Sequence, residues 1–231
     1  TNPHLDIVDL DAFGAIKGPF TMVDSTLATP LGQQPLRHGV SIVMHSATKG
    51  IAGHNDATLG VIAAEKEIVD TIWGYSVLHG ATASPFDALN GVRGVRTLGA
   101  RLRQQSDTAQ QLAEWLTAHP AVKRVNYPGL TSHPQHVLAK RQMRLFGSIM
   151  SVELCGGVDE ARALTKGLRL VRNAVTLGGP DTLISHSATS THLSVPADVK
   201  AATGISDALL RVSVGLESAR DVIADFAQAL K

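Results

Sequence analysis

Two stretches of this sequence carry side chains able to start a reaction. Asp24 follows the apolar run Phe20-Thr21-Met22-Val23. Ser46, Thr48 and Lys49 follow Ser41-Ile42-Val43-Met44, in the string HSATKG. Both runs read as buried strands, and polar groups at the carboxyl ends of parallel strands stand where open α/β sheets bind ligands. A lysine amine forms a Schiff base with a carbonyl carbon. A carboxylate keeps a pyridine nitrogen protonated, so that the ring accepts electrons, and hydroxyl and backbone donors hold a phosphate. These needs belong together in pyridoxal phosphate (PLP). Taken alone, the same residues also fit a blander arrangement, with Asp24 capping a turn in its D-S-T string and Thr48-Lys49 on a solvated loop. A Walker-type lysine is excluded, because Lys49 is preceded by Ser46-Ala47-Thr48 and followed by Gly50, without the GxxxxGK[ST] frame.

The elements that must position these groups alternate in type. A third apolar run covers Leu59 to Ala63, and helical patterns cover Glu65 to Ile72 and Pro85 to Leu98, which together predict an α/β domain with a mostly parallel sheet. From Leu98 to His119 a longer amphipathic helix is predicted, with Leu98, Leu102, Ala109, Leu112 and Leu116 on its apolar side and Pro120 ending it. Strand-like stretches then fall at 122–127, 148–154, 170–175 and 209–214, with helices near 137–143, 159–166 and 218–230 between and after them. Ser218 suits an N-cap, Asp221 the first turn, and Val222, Ile223, Phe226 and Leu230 form a stripe. This pattern divides the chain into residues 1–100 and a second, smaller α/β domain, 101–231, reached through the long helix.

Composition limits the function classes. The 231 residues are 44% hydrophobic and 18% charged, a globular composition. Lys and Arg number 21 against 20 Asp and Glu, so charge gives no reason to expect nucleic acid or an anionic membrane as partner. Cys155 is the only cysteine, which rules out an internal disulfide and points to a reducing, cytoplasmic setting. No basic region precedes an apolar stretch at the start, and no apolar run approaches the roughly eighteen residues of a membrane span. The chain opens on Thr1-Asn2-Pro3, like a strand entering a turn, so a piece of a longer protein is expected. His133, His136, His186 and His192 are read as structural and no metal is expected, since no CxxC or HExxH element accompanies them. Cys155, before Gly156-Gly157, is expected to be an inert buried thiol. Arg93, Arg96, Arg101 and Arg103 are expected on a solvated face or a subunit contact.

The strings VDSTLATP and HSATKGIAGHNDATLG closely resemble the PLP-dependent Cys/Met metabolism (trans-sulfuration) family of fold-type I enzymes. The likeness continues in order through TASPFDALNGVRGVRTL, VNYPGL, HPQHVLAKRQM, GSIMSVEL, TLGGPDTLISHSATSTH and LLRVSVGLE. It implies a fold-type I transferase, here with an incomplete large domain and a smaller C-terminal domain. It also implies roles. Lys49 holds the cofactor and then moves protons at the substrate Cα and Cβ. Asp24 pairs with the pyridine nitrogen, and Ser46 and Thr48 donate to the phosphate. Asn2 lies by the cofactor's phenolic oxygen and the substrate carboxylate, which Arg211 binds. Thr176 stands where the family usually has Ser, keeping the hydroxyl and adding a methyl.

The activity implied is γ-elimination or γ-replacement on methionine- or homoserine-type substrates. The LGGPDTL and SHSATSTH strings look most like O-acylhomoserine sulfhydrylases and methionine γ-lyases; cystathionine γ-synthase or a cystathionine lyase is the alternative. Family chains run upstream of the TNP turn, and that part carries a phosphate-binding glycine loop, a stacking tyrosine and a Tyr/Arg pair reaching a neighbouring subunit. The resemblance therefore also implies an oligomer in which another segment or chain completes the site. A non-catalytic subunit is the remaining alternative.

Overall fold

The computed structural model describes residues 1–230. Its elements, in chain order, are α1 (Leu10–Gly14), β1 (Met22–Asp24), α2 (Thr29–Gly32), β2 (Ile42–Ser46), β3 (Gly60–Ala64), α3 (Lys66–Leu78), α4 (Pro85–Thr117), β4 (Val122–Asn126), α5 (His136–Gln142), β5 (Ile149–Leu154), α6 (Val158–Gly167), β6 (Arg172–Asn173), β7 (Leu183–His186), α7 (Ala197–Ala202), β8 (Leu209–Ser213) and α8 (Ala219–Ala229). Strands β1-β2-β3 form one sheet, and β4-β5-β8-β7-β6 form a second. The α/β class is as expected, with strand directions more mixed than the alternating pattern implies. Strand β1 runs parallel to β2, but β2 and β3 pair antiparallel. A parallel return needs a long, usually helical crossover, whereas the chain between β2 and β3 is a series of turns.

The two helical patterns on either side of Leu98 are one helix of 33 residues. Ser84 Oγ accepts from the Asp87 amide at 3.1 Å, Pro85 opens the first turn, and Asp87 favours the positive helix end. The boundary expected at residue 100 falls inside this unbroken element. Leu98, Leu102, Ala109, Leu112 and Leu116 are buried, as their spacing predicts.

In the second sheet every residue of β5 and β8 is buried. Side chains alternate between the faces of a strand, so the two faces differ. Met150, Val152, Ile184, Leu210 and Val212 pack with Leu112 and Leu116 of α4, Leu164 of α6, and Val222 and Phe226 of α8. The opposite face carries a polar row, Asn126–Ser151–Arg211–Ser185, in register across four strands. Strand β7 and helix α7 escaped the sequence reading, because LISH has no period-2 alternation. The strand expected over 170–175 is reduced to Arg172–Asn173.

Two smaller clusters lie outside the main core. Ala47 and Ile51 pack on Leu98 and Leu102, and Leu5 packs with Ile149 and Leu177. The N-terminal segment is held by side-chain amides. Gln135 donates to Ile7 O and accepts from Ile7 N, both at 2.7 Å, and Gln142 donates to Val8 O at 2.8 Å. This assigns HPQHVLAKRQM a structural task, the anchoring of the segment that contains Asn2. Among the described residues no helix is long and apolar enough to cross a membrane.

Candidate active site

Parallel pairing of β1 with β2 sets Asp24 opposite Met44, so both strands open on one edge. Asp24 Oδ1 accepts from the Thr26 amide at 2.9 Å and from Thr26 Oγ1 at 2.6 Å, an Asx turn. Thr26 Oγ1 in turn accepts from the Ser46 amide at 2.7 Å. One hydroxyl thus ties the acid of β1 to the end of β2. Among the described residues, Asp24 Oδ2 accepts no hydrogen bond. Asp24, Ser46, Lys49 and Asn2 share a cleft of about 410 Å³, whose apolar walls include Leu5, Phe146 and Leu177.

Lys49 stands on successive turns after β2. Its amide donates to Ser46 O at 3.0 Å, Ala52 N donates to Ala47 O at 2.8 Å, and Gly53 N donates to Lys49 O at 2.7 Å. Lys49 Nζ donates to Thr176 Oγ1 at 3.1 Å. The loop bearing Thr176 lies directly on the lysine turn, because Gly178 adopts φ 76° and has no side chain to separate the two backbones. Gln105 Nε2 of α4 donates to Gly179 O at 2.8 Å and holds that loop from behind. Threonine at 176 makes the hydroxyl contact that serine would make.

Arg211 projects from the polar face of β8 and is only 4% exposed. Its Nη2 donates to Val175 O at 2.6 Å, its Nη1 approaches Asn2 Oδ1 at 3.5 Å, and its buried Nε has no partner. Burial pushes its pKa below the ordinary guanidinium value, yet an arginine stays charged in proteins. Among the described residues no carboxylate pairs with it. A buried cation lacking a counter-ion is costly, and a bound carboxylate would relieve it.

The structure therefore gathers Lys49, Thr176, Arg211 and Asn2 in one chain of contacts and places Asp24 and Ser46 on the same cleft. Thr48 stands apart. Its hydroxyl donates to Leu59 O at 3.3 Å and accepts from Leu59 N at 2.9 Å, closing the loop between them. Sequence reasoning missed Thr26, Gln105 and, above all, Arg101. Arg93, Arg96 and Arg103 are exposed as expected, but Arg101 is buried. The signal was present: position 101 falls with Leu98, Leu102 and Gln105 on the inward stripe of α4. Cys155 is exposed rather than buried, because the chain leaves β5 there for a glycine turn. His186 is satisfied by Thr189 and the Asp207 carbonyl, and His136 by the Pro128 carbonyl. Among the described residues no group of three His, Cys, Asp or Glu is placed to hold a metal.

Known proteins resemble this chain over its whole length. The family model described as Cys/Met metabolism PLP-dependent enzyme matches residues 1–231. The chain is 43% identical to an L-methionine gamma-lyase of Fusobacterium nucleatum subsp. polymorphum, covering 100% of this chain and 60% of that protein. It is likewise 43% identical to a cystathionine beta-lyase of Coxiella burnetii, covering 61% of it. Among solved structures, the cystathionine gamma synthase from Xanthomonas oryzae pv. oryzae in complex with aminoacrylate and cysteine superimposes with a TM-score of 0.96 at 44% identity, over 100% of this chain and 60% of the other. The chain thus spans about 60% of the length of the curated relatives it matches.

Proposed function

The chain belongs to the Cys/Met metabolism PLP-dependent enzymes, and on that premise we propose that its protein carries out γ-elimination or γ-replacement on methionine- or homoserine-type amino acids. The observation that carries this reading is the pair of cations that meet around Thr176. Arg211 is buried with no carboxylate partner among the described residues and donates to Thr176 O at 3.4 Å, while the Lys49 amine donates to the hydroxyl of the same residue.

The residues present fit the cofactor. An amine, an acid with one open oxygen and a hydroxyl share a single cleft, and the orphaned Arg211 Nε marks the anion position beside it. Bound PLP supplies an electron sink for a carbanion at the substrate Cα. Lys49 would hold the cofactor covalently, take the proton from Cα and then one from Cβ, so that the γ-substituent can leave with the electron pair of its bond. Thr176 Oγ1 orients its amine. Asp24 keeps the pyridine nitrogen protonated through Oδ2, while Thr26 fixes Oδ1. Ser46 donates to the phosphate. Thr48, whose hydroxyl also closes the lysine loop onto Leu59, is the second phosphate donor. Arg211 takes the substrate carboxylate in a two-pronged grip, with Asn2 beside it.

A second reading, cystathionine γ-synthase or cystathionine lyase, is favoured by the likeness to relatives with those names. The working particle is proposed to be an oligomer in which a further segment or chain completes the phosphate site. Trp73 and Leu78 of α3 and Phe86, Leu89 and Val92 of α4 are exposed apolar side chains suited to such a contact. A cytoplasmic setting is proposed from the free, exposed thiol of Cys155.

The test is borohydride reduction of the PLP-loaded protein followed by peptide mass analysis, with Lys49→Ala as control. A reduced adduct on Lys49 is expected, together with ammonia and 2-oxobutyrate from methionine, or thiol-dependent product from an O-acylhomoserine. An adduct on another lysine, or none, overturns the assignment.

A further inference from the structure

Beneath the lysine turn lies a second buried arginine that the mechanism above does not use. Arg101 of α4 is 4% exposed, and among the described residues it has no carboxylate partner. All its bonds go to neutral oxygens. Nη1 donates to Gly50 O at 2.8 Å, Nη2 to Ile51 O at 3.0 Å and to Gly94 O at 2.7 Å, and Nε to Thr97 Oγ1 at 2.9 Å.

An accounting of the turn's carbonyls shows why an arginine is there. Ser46, Ala47 and Lys49 each accept from an amide within the turn. Among the described residues Gly50 O and Ile51 O, the two that follow Lys49, accept from no amide; Arg101 is donor to both. A buried carbonyl without a donor is destabilising. The contact is also tight: a Cβ added at Gly53 would overlap the guanidinium.

Attachment of the turn to α4 does not by itself need a charge. Ala47 and Ile51 already pack on Leu98 and Leu102, and a desolvated cation without a counter-ion is a costly way to add to that packing. What arginine adds is a rigid planar fork that fixes two neighbouring carbonyls in direction. Gly178 also packs against Gly50 N and Lys49 C, so the peptide that leaves Lys49 is held by the Arg101 fork and by a close backbone contact.

We propose that Arg101 is a positioning residue, whose guanidinium holds the Gly50 and Ile51 carbonyls so that the Lys49 amine stands at the Thr176 hydroxyl. The inference rests on the reading that Lys49 carries the cofactor and moves the proton.

The experiment compares wild type, Arg101→Gln and Arg101→Lys. Amide hydrogen exchange is measured on the cofactor-free protein, and kcat and KM on the PLP-loaded enzyme. In Arg101→Gln the amides of Ala52 and Gly53 are expected to exchange about tenfold faster or more, while those of β5 and β8 keep their protection. The same variant should lose about 10- to 100-fold in kcat with KM within about threefold of wild type. Arg101→Lys, which keeps the charge but not the fork, should show the same two changes in smaller measure. Wild-type exchange at Ala52 and Gly53, or a loss of protection spread evenly over the whole chain, overturns the proposal. If Arg101→Gln does not fold, Arg101→Lys decides by the same readouts. Failure of the parent reading is seen separately, as wild type giving no borohydride adduct on Lys49 while the exchange difference stands.

Discussion

Replacing Gly178 with alanine is the sharpest probe of whether the two sheets set the lysine between them. The added methyl would stand 2.6 Å from Gly50 N, 3.1 Å from Gly50 Cα and 3.2 Å from Lys49 C. Ordinary contact begins near 3.4 Å, so the two backbones must part by roughly 0.8 Å at the closest pair, since packed interiors leave no slack. An alanine held at φ 76° costs about 1–2 kcal/mol in left-handed strain. Forcing apart two packed loops costs about 1–3 kcal/mol more. For the rate, displacement of a reacting group by about 1 Å is worth on the order of 100-fold, so kcat should fall roughly 10- to 100-fold. Gly18 supplies the control: its φ is 100°, and a Cβ there meets nothing within 4 Å. Gly18→Ala therefore carries the strain without the contact. The assays are urea unfolding and steady-state kinetics on the PLP-loaded enzyme. If Gly178→Ala loses no more kcat than Gly18→Ala, the loop contact does not set the position of Lys49 and the reasoning fails.

Three further outcomes are expected. Arg211→Lys should raise the KM for amino-acid substrate by about tenfold or more, because one ammonium cannot reach Val175 O and also grip a carboxylate with two donors; an unchanged KM would remove Arg211 from substrate binding. Asp225 accepts from the amides of Leu170 and Val171, each at 2.9 Å, and of Arg169 at 2.9 Å. Asp225→Asn should destabilise the fold by about 2–4 kcal/mol in urea, and an unchanged midpoint would argue against this. Burial of His45 and His133 pushes both imidazoles below their ordinary pKa. The unfolded chain then binds protons that the folded one refuses, so their contribution to stability is full above about pH 6.5 and is lost as pH falls toward the folded values. Asp225 acts in the same direction at lower pH. Burial alone would raise its pKa, but the amides of Val171, Arg169 and Leu170 outweigh that and hold it below the usual carboxylate value. The melting temperature should therefore decline from about pH 7 to about pH 5.5, and a rise on acidification would refute the sign.

Much of the site was legible because its anchors are local. Asp24 and Ser46 end apolar runs, and an apolar run followed by a polar residue already places that residue at a strand's edge. The stripe of α4 and the Ser218 cap are local for the same reason, since periodicity and capping are settled within a few positions. The roles of Thr176 and Arg211 came only with the family likeness. Lys49 and Thr176 lie 127 positions apart and Asn2 and Arg211 lie 209 apart, so no spacing rule joins them. Arg101 shows the boundary most plainly. Its sequence placed it on the buried stripe of a helix, but a charge at such a position has meaning only once its partners are known. Those partners are the carbonyls of Gly50 and Ile51, which face α4 because the turn after β2 folds back onto Leu98 and Leu102. Local propensity decided which residues form strands, turns and helices. Which buried polar group meets which depended on how closely distant backbones can approach, and that is decided by packing in three dimensions.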